Sequence, residues 1–182
     1  MIKLKDMISR SLFVESKQLR VFDFDDTLVQ TKSHIYITHK DGTKSKLTPG
    51  QYAVYIERPG DTFDFKDFEH VNDPIEIKKI TTVLRRVMRS SGGNGVYILT
   101  ARSAYEPIKK YLKDIGINSN KVFVVALGSN NPKDKADWIE DMIDNKGYDD
   151  IYFADDSQKN VDAAKQMLRT KDVKWRVQHI KH

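Results

Sequence analysis

The 182-residue sequence contains no cysteine, which excludes disulfides, thiolate catalysis and cysteine-ligated zinc. No apolar run approaches the roughly 18 residues of a membrane span, and the N-terminus lacks the long apolar stretch of a secretory signal. The five histidines show neither H-x-H nor H-E-x-x-H spacing, so a histidine-based metal site is not expected. These absences predict a cytoplasmic protein, without membrane association, that uses oxygen ligands for any metal.

The composition is that of a globular chain with a charged surface. Hydrophobic residues make up 39% and charged residues 31% of the sequence, and the mean hydropathy is −0.59. This length suits one domain with a sufficient core, spanning residues 1–182. The net charge of +5 permits binding of a polyanion.

Apolar runs typical of strands alternate with segments of helical periodicity. The strand candidates are residues 19–24, 96–99, 122–127, 151–154 and 173–177. The helix candidates are residues 80–87, 108–115, 136–143 and 161–168. Such alternation predicts an α/β fold, with a parallel sheet that carries helices on both faces.

Residues 30–74 do not follow this alternation. They are expected to form a β-hairpin or small β-sheet from residues 33–38, 44–47 and 51–56, with a turn at Asp41 and Gly42. Residues 59–68 are expected to be a loop that contains Phe63, Phe65 and Phe68. Packing of these rings against the core is the first expectation, and stacking of one ring on a nucleic-acid base is the alternative.

Two carboxylates, Asp23 and Asp25, stand at the end of the first strand candidate and are followed by the hydroxyl of Thr27. Residues i and i+2 of a strand share a face, so both carboxylates can converge on one spot. Two like charges at such a short distance repel each other unless a cation lies between them. The pattern predicts a Mg²⁺ site, an acid and nucleophile pair, or both. A solvated acidic turn is the alternative.

Polar groups also follow the later apolar runs. They are Thr100, Ala101 and Arg102 after the second strand candidate, Lys133 and Lys135 at a helix start, and Asp155 and Asp156 after the fourth strand candidate. In an open parallel sheet, the carboxyl ends of the strands form one crevice. We therefore expect these groups to lie together with Asp23 and Asp25.

This ordered set, spread over residues 19 to about 165, resembles the four motifs of the haloacid dehalogenase superfamily: Asp-x-Asp-x-Thr, a strand-end threonine, a lysine, and an acidic pair. The resemblance implies a Rossmann-like sheet with the Asp23 strand at its centre. It also implies that residues 30–74 are a flap or minimal cap. The interval between Arg102 and Lys133 has no room for a second cap, so an open site is expected.

The resemblance further implies the chemistry of a phosphatase. Asp23 would attack phosphorus and carry an aspartyl-phosphate, and Asp25 would act as general acid and then general base. Thr100, the Ala101 amide and a lysine would stabilise charge on the phosphoryl oxygens. Lys135 is the preferred lysine and Lys133 the alternative.

The resemblance also implies a Mg²⁺ cofactor. Its expected ligands are Asp23, the main-chain carbonyl of Asp25, and Asp155. Asp156 is expected either to hold a metal-bound water or to orient Asp155. Asn160 stands where many members of the superfamily carry a further aspartate, and it is either a solvated helix-start residue or a support for the metal ligands.

Two residues near the motifs each have two possible roles. Thr27 either shapes the site or caps the turn. Arg102 either contacts the substrate or pairs with a surface acid. Both are expected substrate-binding residues, together with Ala101.

The expected substrate is a phosphorylated end of a polynucleotide, because the site has little roof and the chain is basic, with Lys109, Lys110 and Lys113 expected near the mouth of the site. The chain is similar to the 3′-phosphatase halves of polynucleotide kinase/phosphatases and contains no Walker A loop. The alternatives are a nucleotide or other small phosphate, and a catalytically idle binding module. Retention of Asp23 and Asp25 disfavours the idle module. Residues 1–18 are amphipathic enough for a docking helix.

Overall fold

The computed structural model describes residues 15–181. Its strands, in chain order, are β1 (Gln18–Phe22), β2 (Val29–Gln30), β3 (Ile35–Thr38), β4 (Lys44–Leu47), β5 (Thr62–Asp64), β6 (Ile75–Glu76), β7 (Val96–Thr100), β8 (Phe123–Ala126), β9 (Asp150–Asp155) and β10 (Lys174–His179). Its α-helices are α1 (Pro49–Ala53), α2 (Lys78–Ser91), α3 (Glu106–Asp114), α4 (Pro132–Asp144) and α5 (Gln158–Leu168). Two 3₁₀ helices span Lys66–Glu69 and Ser119–Lys121.

A five-stranded parallel sheet in the order β10–β9–β1–β7–β8 forms the centre of the fold. Each of its strands corresponds to a predicted strand, and β1 lies in the middle. The chain runs from β1 to one edge through β7 and β8, and then crosses to the other side for β9 and β10. The strand order therefore reverses between β1 and β9, where open α/β sheets form a ligand crevice at the carboxyl ends of the strands.

Both faces of the sheet are covered by helices, as predicted. On one face, Phe22 and Ile98 of the sheet pack with the α2 and α3 helices through side chains that include Leu84 and Leu112. On the other face, a second cluster contains the sheet residues Leu19, Val21 and Phe153 together with the helix residues Ile139, Ile143, Ala164 and Leu168. Alternation of Leu19, Val21 and Phe22 between these clusters is the period-two pattern of a strand buried on both faces.

The flap is the insertion between β2 and β6. These two strands pair antiparallel, with Gln30 opposite Ile75, and form its stem. Beyond the stem, β4, β3 and β5 form a three-stranded antiparallel sheet. The predicted hairpin is confirmed as β3 and β4, with Gly42 at a φ of 82° in the turn, a conformation that glycine adopts without steric cost.

One strand of the flap was predicted in the wrong place. Residues 51–56 do not form a strand; the chain forms α1 instead, because Thr48 and Gln51 make a capping box and Pro49 opens the first turn. The third strand of the flap sheet is β5, which lies in the segment predicted as a loop and pairs with β3.

A hydrogen-bonded network ties the loops at the far end of the flap. The Nδ1 atom of His39 lies 2.8 Å from Asp61, and its Nε2 atom lies 3.0 Å from the Ser45 hydroxyl. The Tyr55 hydroxyl donates to the other Asp61 oxygen at 2.7 Å. The Tyr55 hydrogen bond lowers the pKa of Asp61, which keeps it a charged acceptor.

The expected docking helix over residues 1–18 falls mainly outside the described residues, and Gln18 already belongs to β1. Within residues 15–181, no helix combines the length and the apolar character needed to cross a membrane.

Candidate active site

Asp23 follows directly on the last residue of β1 and is anchored by its amide, which donates to the carbonyl of Ala154 at 2.9 Å. The chain then turns back, with the amide of Leu28 bonded to the Phe24 carbonyl at 2.9 Å. Asp26 has a φ of 53° in this turn, a conformation that aspartate tolerates better than most residues. This early turn explains why β1 ends at Phe22 rather than at residue 24.

Lys135 joins the acids that follow β1 and β9. Its Nζ atom donates to Asp23 at 2.6 Å and to Asp155 at 2.8 Å, and all three side chains are buried. Lys135 lies at the start of α4, whose N-cap is Asn131. Burial acts to lower the pKa of Lys135, but the charges of Asp155 and Asp23 raise it, so the lysine stays protonated.

The two lysine candidates occupy different environments. Lys135 lies in the site, whereas Lys133 pairs with Asp137 at 2.5 Å on the outer surface of α4. The side chain of Lys133 is 73% exposed. The structure therefore places only the preferred lysine next to Asp23.

Asp155 is held in position by groups at the start of α5. Its Oδ1 atom accepts from the amide of Ser157 at 2.8 Å. The Asn160 amide donates to both carboxylate oxygens, at 3.0 and 3.1 Å. Asn160 therefore orients Asp155 and is more than a solvated helix-start residue.

Three acids form a compact cluster at the crevice. One carboxylate oxygen from each of Asp23, Asp155 and Asp156 lies within 4.8 Å of the others. Burial, followed by the charges of Asp155 and Asp26, raises the pKa of Asp156 to about 7. Burial also raises the pKa of Asp23, and Lys135 opposes that rise. Three carboxylates beside one lysine leave an excess of negative charge, and their hard oxygen atoms suit Mg²⁺.

Asp25 turns its side chain away from this cluster. Its carboxylate accepts two hydrogen bonds from Arg102, one from Nε at 2.8 Å and one from Nη2 at 2.7 Å. The expected metal contact of Asp25 is through its main-chain carbonyl, and that contact stays a prediction. The side chain is therefore available for a role other than metal binding.

Arg102 connects Asp25 to the flap. Its Nη1 atom donates to the main-chain carbonyls of Phe68 at 2.9 Å and His70 at 2.7 Å. The guanidinium also lies near the faces of the Phe24 and Phe68 rings, at 5.3 and 5.0 Å from their centroids. Four of its five N–H donors thus bind protein atoms. Its partner is an acid of the site rather than a surface acid, and its predicted substrate contact stays a prediction.

Thr100 and Ala101 border the same space. The Thr100 hydroxyl oxygen accepts from the amide of Arg102 at 3.2 Å, which leaves the hydroxyl hydrogen free to donate. Thr27 donates from its hydroxyl to Asp156 at 3.3 Å, so it contacts the acidic cluster. Ala101 is exposed on the cavity wall.

A cavity of about 940 Å³ lies over the site, and its floor is formed by Asp23, Asp25, Thr100, Ala101, Arg102, Lys135 and Asp156. The flap forms the opposite wall, contributing Tyr52, Tyr55, Glu57, Phe63, Phe65 and Phe68. The loops after β7 and β8 and the start of α5 close the sides with Ser103, Ser129, Asn130 and Lys159. The flap therefore covers part of a site that was expected to be open.

Two contributions were not predicted from the sequence. His179 at the end of β10 has its Nε2 atom 2.7 Å from the main-chain carbonyl of Asp156. Its position at a strand terminus beside β9 was the available signal, because parallel strands end at the same edge. The cavity wall contributed by Tyr52 and Asn130 had no comparable signal, since it depends on how the flap lies over the sheet.

The basic cluster expected near the mouth does not contribute to the lining of this cavity. None of Lys109, Lys110 and Lys113 lines the cavity over the acids, and Lys110 lines a separate cavity of about 560 Å³ between α3 and the end of the flap.

Comparison of the sequence with protein-family models and with curated proteins finds no match, so it is the residues of this site that indicate its chemistry.

Proposed function

We propose that the protein is a Mg²⁺-dependent phosphomonoesterase that works through an aspartyl-phosphate on Asp23. The observation that carries the proposal is the position of Lys135 between Asp23 and Asp155, at 2.6 and 2.8 Å. This contact joins a strand-end carboxylate nucleophile, a cation and a second carboxylate where the strand order reverses. Such a crevice is a common place for ligands in open α/β sheets.

The residues that would hold Mg²⁺ are Asp23, Asp155 and Asp156, with the main-chain carbonyl of Asp25 as a further expected ligand. When bound, the metal offsets the repulsion between the carboxylates and a phosphate dianion. Asn160 and Thr27 keep Asp155 and Asp156 in place.

In the first step, a carboxylate oxygen of Asp23 forms a bond to phosphorus while the bond from phosphorus to the leaving oxygen breaks. The electron pair of that bond goes to the leaving oxygen, and Asp25 supplies its proton. A carboxylate has about four lone-pair sites. The two that accept from Arg102 therefore leave sites on Asp25 that can carry the proton.

In the second step, water attacks phosphorus and Asp25 takes its proton. The bond between phosphorus and Asp23 breaks and returns the carboxylate. The sum of both steps is hydrolysis of the ester to an alcohol and phosphate. Asp25 takes back in the second step the proton that it gives in the first, so no external acid or base is consumed.

Three groups stabilise the transferring phosphoryl oxygens. The Thr100 hydroxyl retains its hydrogen for donation because its oxygen accepts from Arg102. The Ala101 amide supplies a further hydrogen-bond donor, and the Lys135 ammonium supplies a full positive charge. Fixed donors of this kind are effective because they need little reorganisation as charge moves.

The idle binding module is a weaker candidate than the enzyme. A module that only binds has no need for Asp25 to be fixed by two hydrogen bonds beside Asp23. The two substrate classes, a polynucleotide 3′-phosphate end and a small phosphate metabolite, both stay predictions under this chemistry.

The experiment is hydrolysis of an aryl phosphate by the parent protein and by Asp23→Asn, with Mg²⁺ and with chelator. We expect turnover that requires Mg²⁺ and is lost in Asp23→Asn, because the amide keeps the shape of the side chain but cannot attack phosphorus. Asp162→Asn is the matched control, since Asp162 is exposed on α5 and lies outside the cavity. Equal turnover in Asp23→Asn and the parent would refute the proposed nucleophile.

A single turnover in ¹⁸O-labelled water tests which atom the water attacks in the second step. Attack of water on phosphorus places the label in the released phosphate. Attack on the carboxyl carbon of the aspartyl-phosphate at Asp23 would instead leave the label in the protein. Label in Asp23 would therefore contradict the second step.

A further inference from the structure

Aromatic side chains of the flap form a continuous group along the cavity wall. The Tyr52 ring contacts those of Phe63 and Phe65, with centroid separations of 5.4 and 5.6 Å. Phe65 in turn lies 6.2 Å from Phe68. All four rings line the cavity over the acidic cluster. We call Tyr52, Phe63, Phe65 and Phe68 the ring wall.

Packing of the flap does not account for the whole ring wall. A ring that only holds the flap on the core would be buried, as Phe24 is. Phe65 remains 45% exposed although it lies among three other aromatic rings. Phe65 lines the cavity in which the phosphate would be bound, so its exposed surface is available to a ligand there.

The body of the protein supplies a wall that faces the flap. Asn130, on the loop after β8, lines the same cavity as Tyr52 of the flap. A ligand group on the ring wall would thus be bordered by the flap and by this polar loop.

The charges on the flap side do not suit a polyanion. Glu57, Asp64 and Glu69 line the cavity there, and the single cation among the flap residues that line it is Lys66. Lys66 already lies 3.7 Å from Asp64 and 4.5 Å above the Tyr36 ring. Further phosphates along a polynucleotide would meet these carboxylates. On the body side, Lys159 is exposed and could meet one additional anionic group.

We propose that the ring wall binds a planar ring carried by the leaving group, so that the substrate is a small ring-bearing phosphomonoester of the nucleoside monophosphate type. This inference rests on the proposed phosphomonoesterase function and specifies its substrate class. A base that stacks on Phe65 has a π-face available whatever its identity. Asn130 lines the same cavity and offers an amide that can bond to the polar edge of such a ring.

The size of the cavity agrees with this class. Its volume of about 940 Å³ lies near the upper end of the roughly 300–1,000 Å³ found for small-ligand pockets. It has room for a nucleoside monophosphate with its hydration.

The test compares a nucleoside 5′-monophosphate with ribose 5-phosphate, which has the same sugar and phosphate but no base. Binding is measured by calorimetry with Mg²⁺ in Asp23→Asn, which does not turn either compound over. We expect the nucleotide to bind at least about tenfold more tightly, since stacking of one base on an aromatic side chain commonly has an effect of this size. Phe65→Leu in the same background is expected to remove most of that advantage.

The matched control is Phe123→Leu. Phe123 is a similarly exposed phenylalanine, 59% against 45% for Phe65, but it lies on the edge strand β8 and does not line the cavity. It should keep the full preference for the nucleotide. Phe65→Tyr, which retains a ring, should keep most of it.

Equal affinities of the Asp23→Asn protein for the nucleotide and for ribose 5-phosphate would overturn the proposed role of the ring wall. An undiminished preference for the nucleotide in Phe65→Leu would overturn it as well. Turnover of ribose 5-phosphate by the parent separates this outcome from failure of the proposed function. If the parent hydrolyses it with Mg²⁺ but shows no preference for the base, only the substrate class is wrong. If the parent hydrolyses no phosphate ester, the proposed function fails, and a base preference measured by binding would still support the ring wall.

Discussion

The guanidinium of Arg102 holds the Asp25 carboxylate with two hydrogen bonds of 2.7 and 2.8 Å, and the same guanidinium binds two carbonyls of the flap. The Arg102 side chain is 1% exposed, so its contact with Asp25 is shielded from solvent. One side chain therefore fixes both the proposed general acid, Asp25, and the flap segment that contains Phe68 and His70. The position of the flap and the position of the proton donor are coupled through it.

We expect Arg102→Lys to lower kcat by about 100-fold, the lower end of the effect of a positioned general acid. Lysine keeps the charge but cannot make the bidentate contact or bind both flap carbonyls. The KM of a small ester without a ring should change far less, because Asp25 acts on the leaving oxygen. Steady-state kinetics of the parent and the variant measure both constants.

The control for this change is Arg20→Lys. Arg20 also pairs with an aspartate, Asp150, at 3.1 Å, and both side chains are mostly buried. Neither residue lines the cavity, and Asp150 begins β9 at the end remote from Asp155. Arg20→Lys should lower stability without changing kcat per folded molecule. Similar losses of kcat in both variants would mean that Arg102 acts on folding alone.

We expect Lys135→Met to destabilise the metal-free protein by about 3–5 kcal/mol, the usual cost of removing one partner of a buried ion pair. The change leaves Asp23 and Asp155 facing each other without a cation. Mg²⁺ should restore part of the lost stability, because it supplies positive charge to the same carboxylates. Chemical denaturation with chelator and with Mg²⁺ measures this difference.

Lys133→Met is the matched control, since Lys133 lies on the same helix but pairs with Asp137 at the surface. Pairs of this kind contribute little to stability. Its denaturation midpoint should stay close to that of the parent under both conditions. Equal destabilisation by Lys133→Met and Lys135→Met would contradict the placement of Lys135 between the two acids.

Asp156 should make the metal-free protein less stable as pH rises. Its pKa is about 7 in the folded protein, against an ordinary value of 3.8. Between these two values the folded state binds more protons than the unfolded state, so the free energy of unfolding falls with rising pH. The limit for one group is about 1.4 kcal/mol per pH unit.

The corresponding measurement compares Asp156→Asn with the parent by denaturation from pH 4 to pH 7 in chelator. The variant should gain stability relative to the parent as pH rises, because asparagine has no charge to bury. Saturating Mg²⁺ should reduce or reverse this trend, since the metal favours the ionised carboxylate. A stability difference that is constant with pH would contradict the burial of an ionised Asp156.

Most of the sheet and the acidic cluster were predictable because they depend on local patterns. Buried strands appear as short apolar runs, and their polar C-terminal neighbours must meet at one edge of a parallel sheet. Asp23, Thr100 and Asp155 could therefore be placed together from the sequence. Lys135 could be placed with them because it lies at the start of the helix that follows β8, and that helix starts at the same edge of the sheet.

The partners of Arg102 and the structure of the flap were harder to predict for physical reasons. Arg102 meets Asp25 across 77 residues, and no periodicity encodes such a contact. In the flap, residues 51–56 have an apolar pattern that suits a strand, but the capping box of Thr48 and Gln51 starts a helix there. β5 has only three residues, too few for a pattern, and depends on pairing with β3.

The salt dependence of turnover distinguishes a small substrate from a polynucleotide end. A protein that neutralises several phosphates of a single strand loses affinity with a slope of about −0.7 per phosphate in log affinity against log salt. The flap side of the cavity carries Glu57, Asp64 and Glu69 against Lys66, so we expect few such contacts. The slope of kcat/KM for a 3′-phosphorylated oligonucleotide should be as shallow as that for a mononucleotide.

Reversal of a rim charge gives a second measurement of the same property. Glu57→Lys should raise kcat/KM for the oligonucleotide more than for the mononucleotide, because it replaces repulsion of the flanking phosphates with attraction. Glu15→Lys makes the same change of charge at a residue outside the cavity lining and should leave the ratio of the two substrates unchanged. A steep salt slope in the parent, with a ratio unaffected by Glu57→Lys, would instead favour a polynucleotide end held by cations beyond the flap.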